Sequence, residues 1–191
     1  MNVLLTFTGF HDPYFLGLVD QDEQPGPILS LLSVRPFDHI FLFNTPNTSK
    51  ITTATKEAIA GLHPRTTIHV LDLNLDDPTN YQDILKGLRR HLPNIIEGFP
   101  AAKFFIAVAS GTPQMHASWL LLTAAGEIPA HILHVRPPKF VTKDCPLVSE
   151  LDLSAGGFPS VRFQPEPATT GEDAKDANTA CGQLGIVSEH P

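Results

Sequence analysis

Short apolar, β-branched runs recur along the chain at Val3–Thr8, His39–Phe43, Thr67–Leu71, Phe104–Ala109 and His131–Val135. Each has the length of a strand and is apolar on both faces, as parallel strands covered by helices on both sides are. Helical patterns fill the intervals. Gly26-Pro27 introduces Ile28–Val34, with Pro27 suited to a first helical position. Asn47 to Ser49 offer caps for a helix through Ile51, Ala54, Ala58 and Ile59, which Gly61 and Pro64 end. Asp77-Pro78 opens a third helix through Tyr81, Ile84, Leu85 and Leu88, predicted to stop before Pro93. Thr112-Pro113 opens a fourth through Met115, Trp119, Leu122 and Ala125 to Gly126. Strands alternating with helices predict an α/β fold with a doubly wound, mainly parallel sheet, and Val148–Leu153 predicts an extra C-terminal strand. Right-handed crossovers then put the C-terminal ends of the parallel strands on one edge.

Composition adds bounds to this Rossmann-like pattern. The 191 residues are 42% hydrophobic and 17% charged, enough for one core in one domain. A net charge of −7 argues against a broad basic surface for duplex nucleic acid, although a small anion needs only a few cationic contacts. Cys145 and Cys181 lie far apart without a CxxC partner, so neither a disulfide framework nor a zinc site is expected. Met1–Phe7 lacks a basic segment and cleavage site, and reads as a buried strand. No apolar stretch reaches the length of a membrane span, and a cytoplasmic location with no membrane partner is expected. Residues 1–163 form the expected domain. Residues 164–183, rich in Pro, Glu, Asp, Thr, Ala and Gly, read as a flexible linker. Residues 184–191 turn apolar again and read as the start of a further domain.

Candidate chemistry gathers at the strand ends. Ser110-Gly111-Thr112-Pro113-Gln114-Met115 follows a buried strand and opens a helix, where backbone N–H groups and the helix dipole meet anions. Gly111 permits close backbone approach, and Thr112 can cap a helix that begins at Pro113. An ordinary strand-to-helix turn with a good cap has the same residues, so this turn alone decides nothing. The first strand ends in Thr8-Gly9-Phe10-His11-Asp12-Pro13, and in a 3-2-1-4-5 strand order the two loops face one crevice. Neither GxGxxG nor GxxxxGK[ST] occurs, which disfavours dinucleotide-cofactor and P-loop readings, and no cofactor is expected.

Nine histidines raise the question of a metal, but only His131 and His134 are close, and on a strand that spacing points them to opposite faces. No metal site is expected. His116, one turn into the fourth helix, reads as a packing or solvent contact. Arg136 and Lys139 flank Pro137-Pro138 where the last core strand ends. They are two solvated charges or a cationic contribution to a phosphate pocket. No GxSxG is present, and Ser110 has no His–Asp support evident in sequence. His11 with Asp12 could serve cleavage by an adjacent 2′-hydroxyl, given hydrogen-bond geometry. No residue is assigned a catalytic role.

The Ser110–Met115 turn, followed by Trp119-Leu120-Leu121-Leu122, resembles the signature after the fourth strand of CRISPR-associated Rossmann fold (CARF) domains. In order come Ile128-Pro129-Ala130, Arg136-Pro137-Pro138-Lys139 and Leu151-Asp152-Leu153-Ser154. The set is similar to the N-terminal sensor domain of sigma-54-dependent regulators of the RNA-repair (RNA 3′-terminal phosphate cyclase) operon type. Leu184 to Pro191 is similar to the opening of their AAA+ ATPase domain. The resemblance implies a homodimer whose two-fold axis crosses the C-terminal strand edge and creates a shared pocket. It implies a cyclic oligoadenylate or RNA-end ligand and, through further domains, sigma-54 RNA polymerase and DNA as partners. By position, Thr8, Gly9, Phe10 and His11 and the six residues Ser110, Gly111, Thr112, Pro113, Gln114 and Met115 would line the pocket, with Arg136 and Lys139 contributing charge. Phe10-His11-Asp12 departs from the commoner loop, and Asp12 would repel phosphate. Competing readings are a ring nuclease acting in the same pocket and a protein-interaction domain without nucleotide.

Overall fold

The structure, a computed structural model, describes residues 1–16 and 22–153. The expected linker and the segment after it lie outside the described residues, as does the end of the expected domain. Six strands form the main sheet: β1 (Asn2–Phe7), β4 (His39–Asn44), β5 (Thr67–Asp72), β6 (Lys103–Ala107), β7 (Ala130–Val135) and β8 (Val148–Leu151). Their order is β5-β4-β1-β6-β7-β8, parallel except for the final antiparallel strand β8. The five parallel strands therefore run 3-2-1-4-5 in chain order, and β1 lies between β4 and β6, with Leu4 beside both Ile40 and Phe105. Strand order reverses at β1, so the loops after β1 and β6 open onto one crevice.

Two helices cover each face, which is the doubly wound arrangement. On one side α1 (Pro27–Val34) and α2 (Ser49–Leu62) pack Ile28, Leu31 and Ile59 over Leu4, Ile40, Leu42 and Phe105. On the other, α3 (Tyr81–Gly98) and α4 (Pro113–Ala124) pack Ile84, Leu88, Met115 and Trp119 over Val3, Phe7, Phe43 and Ile106. Trp119 is fully buried, with its ring 5.6 Å from Phe7 and 5.2 Å from Phe43. This aromatic cluster lies beneath the ends of β1 and β4 and gives the loops above a rigid floor.

The sequence reading needs three corrections. Helix α3 begins at Tyr81, capped by Asn80, whose side chain accepts from the N–H groups of Gln82 at 3.0 Å and Asp83 at 3.3 Å. It then continues through Pro93 to Gly98. A proline inside a helix costs about 3 kcal/mol, because it lacks an N–H and crowds the carbonyl four residues back. Burial of Leu92 and Ile95 on either side of the proline offsets that cost, since two apolar side chains gain about 1.5–3 kcal/mol each. Second, a small antiparallel hairpin, β2 (Tyr14–Leu16) and β3 (Glu23–Pro25), interrupts the passage from β1 to α1. It carries no long apolar run, so periodicity has nothing to detect. Third, β5 is not apolar on both faces: it is the open edge strand, with Thr67, Val70 and Asp72 exposed.

Candidate ligand-binding site

Two loops at the sheet switch point touch through their backbones. A Cβ added to Gly9 would lie 2.8 Å from the Gly111 nitrogen and 3.3 Å from the Ser110 Cα, so only glycine lets the first loop come this close. Gly111 is itself at φ +101°, a conformation that L side chains rarely adopt. Its missing side chain faces inward: a Cβ there would meet the Met115 sulfur at 2.9 Å and the Phe7 Cβ at 3.1 Å. The glycine is required by the turn and the packing beneath it.

Thr112 caps α4, and its hydroxyl accepts from the Met115 N–H at 3.3 Å while donating to the Pro78 carbonyl at 2.9 Å. That hydroxyl is thus occupied within the protein. Pro113 is the first helical residue and is exposed, and the Met115 side chain lies in the core with its sulfur 3.4 Å from the Thr112 nitrogen. His116 reaches back from the first turn of α4, its Nε2 3.0 Å from the Ser110 carbonyl. Burial holds the His116 pKa below the ordinary histidine value; the Ser110 carbonyl opposes the shift, and the charge of nearby His134 adds to it. A neutral imidazole with its proton on Nε2 fits that bond. His116 thus helps fix the turn, beyond the packing role expected of it.

The first loop divides into a buried and an exposed part. Thr8 is 2% exposed and Phe10 73%. His11 is also exposed, edge-on to the Phe15 ring at 5.5 Å. Asp12 turns inward instead. One carboxylate oxygen accepts from the Gly9 N–H at 3.0 Å, and the other accepts from the Ile28 N–H at 3.1 Å. Burial pushes its pKa above the usual aspartate value, and its neighbours, Ser110 and the two N–H groups foremost, offset part of that rise. Asp12 therefore fastens the loop and caps α1, where Gly26 has no side chain to do so. The expected repulsion of phosphate weakens accordingly, and the carboxylate is engaged with backbone instead of activating His11.

What the two loops leave unsatisfied is informative. Among the described residues, four buried side-chain polar atoms lack a well-formed hydrogen bond: Thr8 Oγ1, Gln114 Oε1, Trp119 Nε1 and Ser110 Oγ, the last still close enough to the Asp12 carboxylate to lower its pKa. Three belong to these loops and the helix end between them. Each such atom costs roughly 1–3 kcal/mol, so their concentration at one place marks either strain or a missing ligand.

Arg136 and Lys139 make their contacts within their own segment. The Arg136 guanidinium donates to the Pro146 carbonyl at 2.5 Å, and the Lys139 ammonium lies 4.9 Å from the centre of the Phe140 ring. One cavity of about 330 Å³, lined by Arg89, Leu92 and Glu127, lies between α3 and α4. Another of about 550 Å³ lies beside His131 and Glu150. Both are away from the switch point. Among the described residues no group of three or more His, Cys, Asp or Glu is placed to hold a metal ion, and no helix is long and apolar enough to cross a membrane.

The turn after β4 escaped the sequence reading. The Asn44 amide donates to Asp72 at 2.7 Å, and its oxygen accepts from Thr48 at 3.2 Å and Thr52 at 2.8 Å. The proximity of Asn44, Thr48 and Thr52 in the sequence was the available signal.

The profile of the family described as "Regulator of RNA terminal phosphate cyclase" matches residues 25–172. The chain belongs to that family. Among solved structures, this regulator-family domain is similar to Enterococcus italicus Csm6 bound to cyclic hexa-2′-fluoro-hexa-dAMP, with a TM-score of 0.63 and 21% identity over 76% of the chain. The chain spans 36% of the length of that protein. A weaker likeness is to Can2 from Sulfobacillus thermosulfidooxidans in complex with cyclic tetra-adenylate, with a TM-score of 0.49 and 18% identity over 71% of this chain and 32% of that one. No curated protein matches. The Csm6 likeness shows a shared α/β fold, and the family match covers α1 through β8, including the Ser110–Met115 turn.

Proposed function

We propose that this domain is a sensor that binds a phosphate-bearing nucleotide, a cyclic oligoadenylate or an RNA end, at the loops after β1 and β6. The observation that carries the reading is the buried, unpartnered hydroxyl of Thr8, with the buried Ser110 hydroxyl facing Asp12 beside it, placed where a glycine-lined turn opens α4. A helix N-terminus offers N–H donors and a positive dipole end to an anion, and bound phosphate would also accept from the two hydroxyls. Phe10 stands exposed beside them, suited to stacking on a base. Family membership and the cyclic nucleotide bound to the Csm6 fold neighbour favour the same class of ligand.

In this reading a homodimer forms over the C-terminal strand edge, so that two copies of the loops enclose one symmetric ligand. Arg136 and Lys139 supply positive charge from the end of β7, and ligand binding controls an attached sigma-54-type transcription activator. Titration of the full chain with cyclic tetra-adenylate, cyclic hexa-adenylate and short RNAs bearing a 3′-terminal phosphate tests this. The expected result is saturable binding of one of them, one ligand per two chains by sedimentation, with no product by mass spectrometry. Absence of binding to all three removes the reading, and stoichiometric conversion to linear fragments would make the domain a ring nuclease instead.

A further inference from the structure

We propose that Gln114 is the specificity-determining residue of this site: its side-chain oxygen takes a hydrogen-bond donor of the ligand, so anionic groups alone do not complete the site. The inference rests on the nucleotide reading above and names what the ligand must offer besides phosphate.

The first turn of a helix presents N–H donors, and phosphate oxygens are acceptors, so the end of α4 and a phosphate match without help. Gln114 Oε1 is the opposite kind of group. It is an acceptor, buried without a partner, on the second residue of that helix. Four donors near it in the sequence are engaged elsewhere. The Met115 N–H donates to the Thr112 hydroxyl, the His116 N–H to the Thr112 carbonyl, and the Thr112 hydroxyl to Pro78. The Ser118 hydroxyl donates to the backbone carbonyl of Gln114 itself, at 2.8 Å. A phosphate cannot satisfy this oxygen, because it brings only further acceptors.

A neutral donor can. Two parts of a nucleotide carry one, the exocyclic amine of the base and the ribose hydroxyl. Of the base edges, that of adenine suits a carboxamide best, since its amine and ring nitrogen pair with the oxygen and NH₂ of glutamine together. Hypoxanthine replaces the amine by a carbonyl, which on the N7 edge sets acceptor against acceptor. The terminal torsion of glutamine is soft, so a half-buried side chain can turn its oxygen to the ligand at little cost.

The experiment titrates the full-length parent and the Gln114→Leu and Gln114→Glu variants with a cyclic oligoadenylate, its inosine counterpart and its 2′-deoxy counterpart. Circular dichroism checks the fold. The parent is expected to prefer one donor-bearing ring by about tenfold or more over the analogue lacking that donor. Gln114→Leu should bind more weakly and lose the preference. Gln114→Glu, whose carboxylate suits a helix N-terminus and so keeps the fold, should bind worst because it repels phosphate. Loss of the inosine discrimination identifies the base amine as the donor, and loss of the deoxy discrimination identifies the ribose hydroxyl. A folded Gln114→Leu that retains the parent's affinity and preferences overturns the assignment while leaving the nucleotide reading intact. A parent that binds neither the rings nor short RNAs bearing a 3′-terminal phosphate overturns both.

Discussion

Two turns at the same edge of the sheet, one after β4 and one after β6, have similar sequences and opposite characters. Both join a buried strand to a helix, both use threonine and proline, and both lie above the aromatic cluster of Phe7, Phe43 and Trp119. After β4 the polar groups satisfy one another: Asn44 binds Asp72, Thr48 and Thr52, and Thr48 also bonds the Thr45 N–H at 3.1 Å. After β6 they do so less completely: the Gln114 oxygen is left with the Thr8 hydroxyl as a buried atom lacking a partner, and the Ser110 hydroxyl has only the Asp12 carboxylate near it. A closed network contributes to stability and has no unmet group for a ligand. An open one costs stability and holds its hydrogen-bonding capacity in reserve, which is how binding sites differ from scaffolds of the same shape.

The largest effect expected is from Gly111→Val, which forces a branched side chain into a positive-φ position against Met115 and Phe7. Backbone strain and overpacking together should cost roughly 2–4 kcal/mol in urea denaturation. A variant as stable as the parent would show that the turn can relax, and would reopen Gly111 as a residue facing ligand. Next comes the closed turn. Asn44→Ala removes hydrogen bonds to three side chains and should destabilise by about 2 kcal/mol with ligand affinity unchanged. If affinity falls instead, the two turns are not as distinct as their bonding suggests.

Thr8→Val tests the open turn, and its two readouts should diverge. Removing a buried hydroxyl without a partner should leave stability level or raise it by about 1 kcal/mol. Affinity for the nucleotide should fall about tenfold. A parallel loss of both would mean that the hydroxyl has a structural partner.

The smallest effect concerns pH. Burial lowers the pKa of His116, and burial and the nearby His39 lower that of His69, whose Nε2 lies 3.1 Å from His39 Nδ1. The unfolded chain then takes up protons first as pH falls through about 6.5, so stability should decline between pH 7 and 5. Asp12, shifted upward, acts in the other sense, adding stability as pH falls through its raised value towards 3.8. Denaturation midpoints across this range check the sign, and His116→Gln should flatten part of the slope.

The sheet and its helices were legible because long apolar runs leave few alternatives: the five parallel strands and the four helices follow from pattern, while connection rules allow several strand orders, of which 3-2-1-4-5 is the one observed. The third helix was read too short because Pro93 is a local signal, whereas the apolar face of Leu92 and Ile95 that overrides it is a tertiary one. The hairpin was missed because Tyr14–Leu16 and Glu23–Pro25 are too short to show a period. At the loops, residue types indicated a place but not a role. Asp12 looked like a charge facing ligand and is a buried clamp, while the Thr112 hydroxyl looked available and is bound to Pro78. Hydrogen-bond satisfaction is a property of three-dimensional neighbours, and no spacing rule encodes it.

Asp12 also makes the hairpin separable from the rest of the domain. Its carboxylate grips the chain before the hairpin, at Gly9, and after it, at Ile28, and the Gly26 N–H bonds the Pro13 carbonyl at 2.7 Å. The arm from Tyr14 to Pro25 is therefore stapled shut at its root, with the same fastening that seats the first loop against Gly111. The one described ring contact across that staple is Phe15 against His11, so a change in the arm reaches the first loop through that pair. The hairpin is thus a graft point for a reporter or a recognition segment, held next to the binding loops by a fixed root and coupled to them through a single aromatic contact.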